Sequence, residues 1–313
     1  MALPVFHEAY GFPITLVFSP DGRGFFSERI TGNLWEINGE KFRLVKKFPI
    51  VKITGHNETG LLGIALDPNF EQNSFIYCFY TYGSSFKNKV VRIKADGESE
   101  ETLLDEIPAG WIHNGGIMAF GRDKTLFVGV GVNNEEKAKS QDLNFLGGKV
   151  LRINSDGTIP KDNPFFGSPV YSCGHRNIFG LAFHPQTGKL YISDVGPNDN
   201  DEINIIEPGG NYGWPKVMGK SDDPKFVNPI HTYTPVITPT QSVFVGNDLY
   251  FGSYNQGTVH KLTLTGENSD QVAKDEIVYQ GKPFGVLGIF HSPDNKFYIT
   301  RPEGIQQINV GLF

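Results

Sequence analysis

Two cysteines in 313 residues, Cys78 in FIYCFY and Cys173 in YSCGHRN, are too few to build a disulfide framework. Both read as reduced, buried thiols. No stretch approaches the roughly 18 consecutive apolar residues of a spanning helix, so no membrane partner is expected. Lys and Arg never gather into a run and the formal charge is −6, which argues against nucleic acid as a partner. The N-terminus, MALPVFHEAYGFPITLVF, has no basic segment followed by a continuous apolar one, so no secretory leader is seen. As it stands the sequence reads as cytoplasmic, or as periplasmic or extracellular if Met1 and Ala2 replace a removed leader. Helical periodicity is also scarce, and only 134–145 (NEEKAKSQDLNF) is expected to carry a short helical turn. Nothing in the sequence sets an oligomeric state.

Turn formers and aromatics are plentiful instead. With 37 Gly, 20 Pro and 13% aromatic residues, the chain is expected to be globular and made of many short strands. One phrase recurs: an apolar pair, a turn centred on Pro-Asp/Asn or Gly, then an aromatic-rich strand. Its copies are LVFSPDGRGFFSE, IALDPNFEQNSFIYCFY, MAFGRDKTLFVGVG, LAFHPQTGKLYISD, SVFVGNDLYFGSY and GIFHSPDNKFYITR. A second apolar-flanked element follows each copy, as in NLWEI, VVRI, VLRI, INII, VHKL and IQQI. Two hairpins in roughly 50 residues mark a propeller blade. The sequence therefore predicts an all-β fold, a six-bladed β-propeller of four-stranded antiparallel blades, in a single domain over 1–313. The early segment VFHEAYGF is predicted to complete the last blade, since an open ring would leave sheet edges unpaired. The 25 Phe and 12 Tyr are expected mainly to pack face to face between blades.

A propeller gathers its binding groups around the central channel, so polar residues just before each repeat are the candidates. These are Glu58 and Thr59, His113 and Asn114, His175 to Asn177, and Thr240 and Gln241. The first blade offers little, and the last presents the apolar run FGVL. A His, a Glu and an Arg converging there suit acid/base work or anion binding. A satisfied Arg176–Glu58 pair in the channel is the structural alternative.

A second cluster, VGPNDNDEIN (195–204), crowds Asp199, Asp201 and Glu202 into four positions. Carboxylates with backbone oxygens suit a hard cation, although the EF-hand spacing is missing.

GKVLRINSDGTIPKDNPFF, GHRNIFGLAFHP and DVGPNDNDEINIIEPGGNYGWP together resemble the soluble quinoprotein sugar dehydrogenases, the glucose/sorbosone and aldose dehydrogenases that use pyrroloquinoline quinone (PQQ). GLLGIALDPNF and HNGG match the same family upstream. The resemblance implies a six-bladed propeller in which a His takes the proton of a sugar's anomeric hydroxyl while hydride passes to the quinone. It implies an Arg that stabilises developing negative charge and a calcium ion that polarises the quinone carbonyls. By motif, His113 matches the base, and Arg176 and Asn177 match the pair on the cofactor, with Glu58 among its contacts. Gly196 and Pro197 match the carbonyls that hold the cofactor's calcium. Asp201, Glu202, Tyr212, Met218 (through its carbonyl) and Asp222 match a separate, structural calcium region.

The departures fall on the cofactor. Val132 stands where the family has the Asp that orients the base, and Ile112 where the glucose enzymes have Asp. Asn255 replaces a Lys on the quinone's carboxylates, and Gly285-Val286-Leu287-Gly288 replaces an Arg-x-Arg-Asp step. PQQ carries three carboxylates, and charge-assisted contacts are worth about 1.5–3 kcal/mol each. Losing three would weaken binding by several orders of magnitude. Lys216, Lys220 and Arg301 are candidate substitutes that the sequence does not place. Three readings follow. One is a diverged aldose dehydrogenase oxidising the anomeric hydroxyl of sugars. Another is a calcium-stabilised propeller that has lost PQQ and binds a sugar or a protein. The last is a channel repurposed for hydrolysis as a hydrolase or lactonase. The charge bookkeeping favours the second over the first.

Overall fold

Each repeat folds as a hairpin around a polar turn. In SPDGRG the Ser19 amide donates to the Arg23 carbonyl and the Gly22 amide to the Ser19 carbonyl, both at 2.9 Å. Gly22 takes φ +86°, a left-handed conformation that glycine adopts without steric cost. SPDNK rebuilds the turn, with Ser292 N donating to Lys296 O at 2.9 Å.

The computed structural model describes residues 5–8, 11–52 and 57–310. It is all-β, with antiparallel sheets of four strands. Successive sheets run over 13–47, 61–108, 115–173 and 178–233, each a meander. An eight-stranded sheet follows, holding the four strands of 239–280 and the three of 288–308. The two halves meet through a single parallel pairing, Gln241 with Gly288. The N-terminal strand Val5–Glu8 pairs antiparallel with Gly304–Ile308, the position expected for it.

The core lies between sheets. Phe25 and Leu34 of the first sheet pack with Ile64 and Cys78 of the second, and similar clusters fill each later junction. The last cluster joins Phe290, Tyr298 and Ile305 back to Leu16 and Phe26 of the first sheet. The sheets' first strands approach closely as well. A Cβ on Gly63 would stand 1.9 Å from the Gly116 carbonyl, so only glycine permits this approach.

The aromatic rings meet differently from expectation. Phe127 and Phe183 meet edge-on between the third and fourth sheets, with centroids 5.1 Å apart, and Phe18 meets Tyr298 tilted at 43°. Ring quadrupoles disfavour the eclipsed face-to-face arrangement. The helical turn expected at 134–145 is the 3-10 segment Asn134–Gln141, and a one-turn helix at Phe70–Asn73 escaped the sequence reading. Cys78 and Cys173 are free and buried. Among the described residues no helix is long and apolar enough to cross a membrane.

Candidate active site

Glu58, His113, Arg176, Asn177 and Thr240 each stand at or just before the first strand of a sheet. All five line one cavity of about 440 Å³. Their predicted neighbours Thr59, Asn114, His175 and Gln241 are buried behind it. Asn114 supports the wall by donating to the Glu58 carbonyl at 3.3 Å and to the Gly110 carbonyl at 2.8 Å.

His113 has φ +61°, in the left-handed region that His tolerates better than bulkier residues. Its Nδ1 lies 3.2 Å from the carbonyl oxygen of Val132. A carbonyl only accepts, so Nδ1 carries the proton and Nε2 keeps its lone pair. Burial, then the charge of Arg176, lowers the imidazole to about 4 against the weaker pull of the Val132 bond and Asp194. At neutral pH His113 is therefore an uncharged base with Nε2 free to accept a proton.

Glu58 ties three sheets together. Its Oε2 accepts from the His113 amide at 2.7 Å and from Asn177 Nδ2 at 3.2 Å. Burial raises its carboxyl above the ordinary range, while those two donors and the charges of Arg176 and Arg29 hold the rise in check. Glu58 and Arg176 do not form the pair that the structural alternative requires. Arg176 instead directs Nη1 to the carbonyls of Val195 at 2.8 Å and Gly196 at 3.1 Å, with its guanidinium 5.5 Å from the Trp214 ring centre. Its Nε is buried without a hydrogen-bond partner, and burial lowers its pKa.

Behind the wall, Asp194 holds the loop that carries Arg176 and Asn177. Its carboxylate accepts from the amide of Arg176 at 3.0 Å and that of Asn177 at 2.7 Å. His175 lies 3.4 Å from Asp194 and its Nε2 is 2.8 Å from Ser172 Oγ. The Ser-His-Asp order suggests a nucleophile, but all three side chains are sealed and Tyr212 stacks on the imidazole at 4.7 Å. This array braces the loop, since no substrate reaches it.

The acidic cluster does not converge. Asp201 and Glu202 are successive residues of the strand Asp201–Ile206, so their side chains point to opposite faces. Both Asp201 oxygens are occupied, by the amides of Gly196 at 2.7 Å, Ile237 at 2.6 Å and Thr238 at 2.7 Å. Glu202 accepts from Gly219 N at 2.5 Å and Asn204 Nδ2 at 2.8 Å, and Asn204 Oδ1 is buried without a partner. Burial pushes Glu202 up to about 8. The Tyr212 hydroxyl donates to Ile205 O and accepts from Glu207 N. Met218 is half-buried and Asp222 exposed. Gly196 and Pro197 do line the cavity. Among the described residues no three His, Cys, Asp or Glu side chains gather as a metal site.

Several cavity residues were missed by the sequence reading, notably Arg29 and Tyr254. They follow the second strands of their sheets rather than preceding the first. In an antiparallel hairpin those positions share an end, as the pairings Pro13 with Glu28 and Pro239 with Ser253 show. Asn255 and Leu287 also reach the cavity, so two of the substituted positions do face the ligand space. Lys216, Lys220 and Arg301 are not among its lining residues.

Residues 10–308 match the glucose/sorbosone dehydrogenase family model. The chain belongs to that family. It is 34% identical over 251 residues to quinoprotein glucose dehydrogenase B of Acinetobacter calcoaceticus, a match covering 67% of this chain and 52% of that protein. It thus spans about half the length of that relative. Aldose sugar dehydrogenase YliI of Escherichia coli K12 is 30% identical, covering 96% of this chain and 89% of that one. The PQQ-bound aldose sugar dehydrogenase of Streptomyces coelicolor superposes with a TM-score of 0.84 at 27% identity, covering 98% and 96% of the two chains.

Proposed function

We propose that this chain is an aldose sugar dehydrogenase that oxidises the anomeric hydroxyl of a sugar with PQQ as its cofactor. The observation that carries the reading is His113, neutral and with Nε2 unblocked, in a cavity it shares with the Arg176 cation. The cavity volume of about 440 Å³ lies within the usual range for small-ligand sites. The partnerless Arg176 Nε suits an anionic quinone. PQQ, when bound, supplies the acceptor for the two-electron transfer.

The chain's own residues do the rest. His113 Nε2 takes the proton of the sugar's C1 hydroxyl. The Val132 carbonyl holds the ring so that Nε2 faces the substrate. Arg176 opposes negative charge as it develops in the cavity. Glu58 fixes the His113 backbone and the Asn177 amide in mutual register.

Gly196 and Pro197 would present carbonyl oxygens to a calcium ion beside the cofactor. The Gly196 oxygen already accepts from Arg176, which leaves it one lone pair. For a second calcium, the buried Glu202 carboxylate with the orphaned Asn204 oxygen fits better than Asp201, whose oxygens are occupied. We read the eight-stranded sheet as two blades, which gives a six-bladed propeller in a single domain. The ring of clusters between sheets supports this count.

The test is to add PQQ and calcium to purified protein, desalt, look for the quinone's absorbance on the protein, and assay aldose-dependent dye reduction. Retained quinone with reduction is expected. Absence of both retained quinone and dye reduction would sink the reading.

A further inference from the structure

Two arginines line the cavity, and they differ from the other arginines that are not exposed. Arg23, Arg92, Arg152 and Arg301 each have a carboxylate within ion-pair distance. Arg29 and Arg176 have none among the described residues. Arg29 is half-buried, and burial lowers its pKa. Its Nη1 donates to the carbonyls of Asn57 at 2.7 Å and Thr59 at 3.2 Å, and its guanidinium stands 4.5 Å from the Phe12 ring centre. Its Nε and Nη2 make no hydrogen bond to the described residues. A partly desolvated guanidinium that lines the cavity, braced by neutral carbonyls at Nη1 and with Nε and Nη2 unengaged by the described residues, is prepared for a carboxylate.

Among the described residues the only carboxyl lining the cavity is Glu58, and it is already engaged by His113 and Asn177. The positions where the family's cations are replaced also face this space as Asn255 and Leu287. The cavity thus loses positive charge on one side, while Arg29 supplies it from the first sheet.

We propose that Arg29 is the second cationic anchor of the cavity and, with Arg176, holds a ligand that carries more than one carboxylate. For the identity of that ligand the inference rests on the PQQ reading above. It explains how a chain without the family's Lys and paired Arg retains a site for a polyanion. The side chain acts by binding and takes no part in proton transfer.

The test is equilibrium binding, read by fluorescence quenching or calorimetry without turnover. PQQ and, separately, the quinone-free tricarboxylate trimesate are titrated into wild type, Arg29→Gln, Arg29→Lys and Lys216→Gln, an exposed position that does not line the cavity. Arg29→Gln is expected to weaken both ligands roughly 10- to 100-fold and to flatten the salt dependence of binding. Arg29→Lys should fall between, keeping charge but losing the paired N–H edge, and Lys216→Gln should match wild type. Arg29→Gln binding within twofold of wild type would overturn the inference. So would equal losses in Gln and Lys variants with a lowered melting temperature of the ligand-free proteins, since that marks a structural role. Arg29-dependent trimesate binding without PQQ binding would keep the anchor and overturn the quinone reading. Binding of neither ligand would overturn both.

Discussion

The Nδ1 of His113 is held 3.2 Å from the backbone carbonyl of Val132, and the Val132 amide donates in turn to the Arg176 carbonyl at 2.9 Å. One peptide segment therefore orients the base and joins it to the loop that carries the cation. Val132 offers no side-chain carboxylate here, yet the imidazole is still oriented. A neutral carbonyl does this without the charge that would raise the imidazole's pKa.

This has a consequence for pH. With His113 at about 4 in the folded protein and near 6.5 unfolded, the unfolded chain takes up the proton first as pH falls. The stability contributed by keeping His113 neutral is full above about pH 6.5 and is lost as pH drops toward 4. An NMR titration should place the His113 midpoint near 4. Val132→Ala should leave it there, because the backbone makes the bond. A midpoint near 6.5 would contradict the assigned environment.

Arg176 is the largest charge acting on His113, after burial itself. Arg176→Gln should move the His113 midpoint upward from about 4 without reaching 6.5, because desolvation remains. The same titration checks it. No movement would mean that the two side chains are electrostatically uncoupled.

Asp194 accepts from two buried amides, those of Arg176 and Asn177. Asp194→Ala leaves both donors without an acceptor, and each orphan costs about 1–3 kcal/mol. Chemical denaturation should show a lower midpoint with an unchanged slope. A neutral result would show that the loop is held by other contacts.

If calcium occupies the region around Glu202, chelation should lower the melting temperature of the wild type. Glu202→Gln should make the protein insensitive to the chelator, whereas Asp222→Asn, at an exposed position, should retain most of the response. Equal melting with and without chelator would count against the site.

Much of the architecture was legible because each repeat carries its own turn chemistry and alternation, from SPDGRG to SPDNK. Closure by Val5–Glu8 followed from the need to pair an edge. The site was legible where it precedes a first strand, as at Glu58, His113 and Arg176. It was not legible where it follows a second strand, as at Arg29 and Tyr254, because those residues meet the others only through hairpin pairing. The orientation of the base by a backbone carbonyl is invisible in principle, since any residue at 132 has one. Asp201 and Glu202 looked like one cluster in the sequence. A strand turns adjacent residues to opposite faces, and Asp201 is spent on three amides.

The role of His113 is the central claim. Its most direct measurement compares quinone retention and aldose-dependent dye reduction in wild type and His113→Gln, both loaded with PQQ and calcium. The account predicts that the variant retains the quinone while turnover falls roughly 10²- to 10⁴-fold, the range of a lost general base. Quinone retained by both proteins with turnover unchanged in His113→Gln would contradict it.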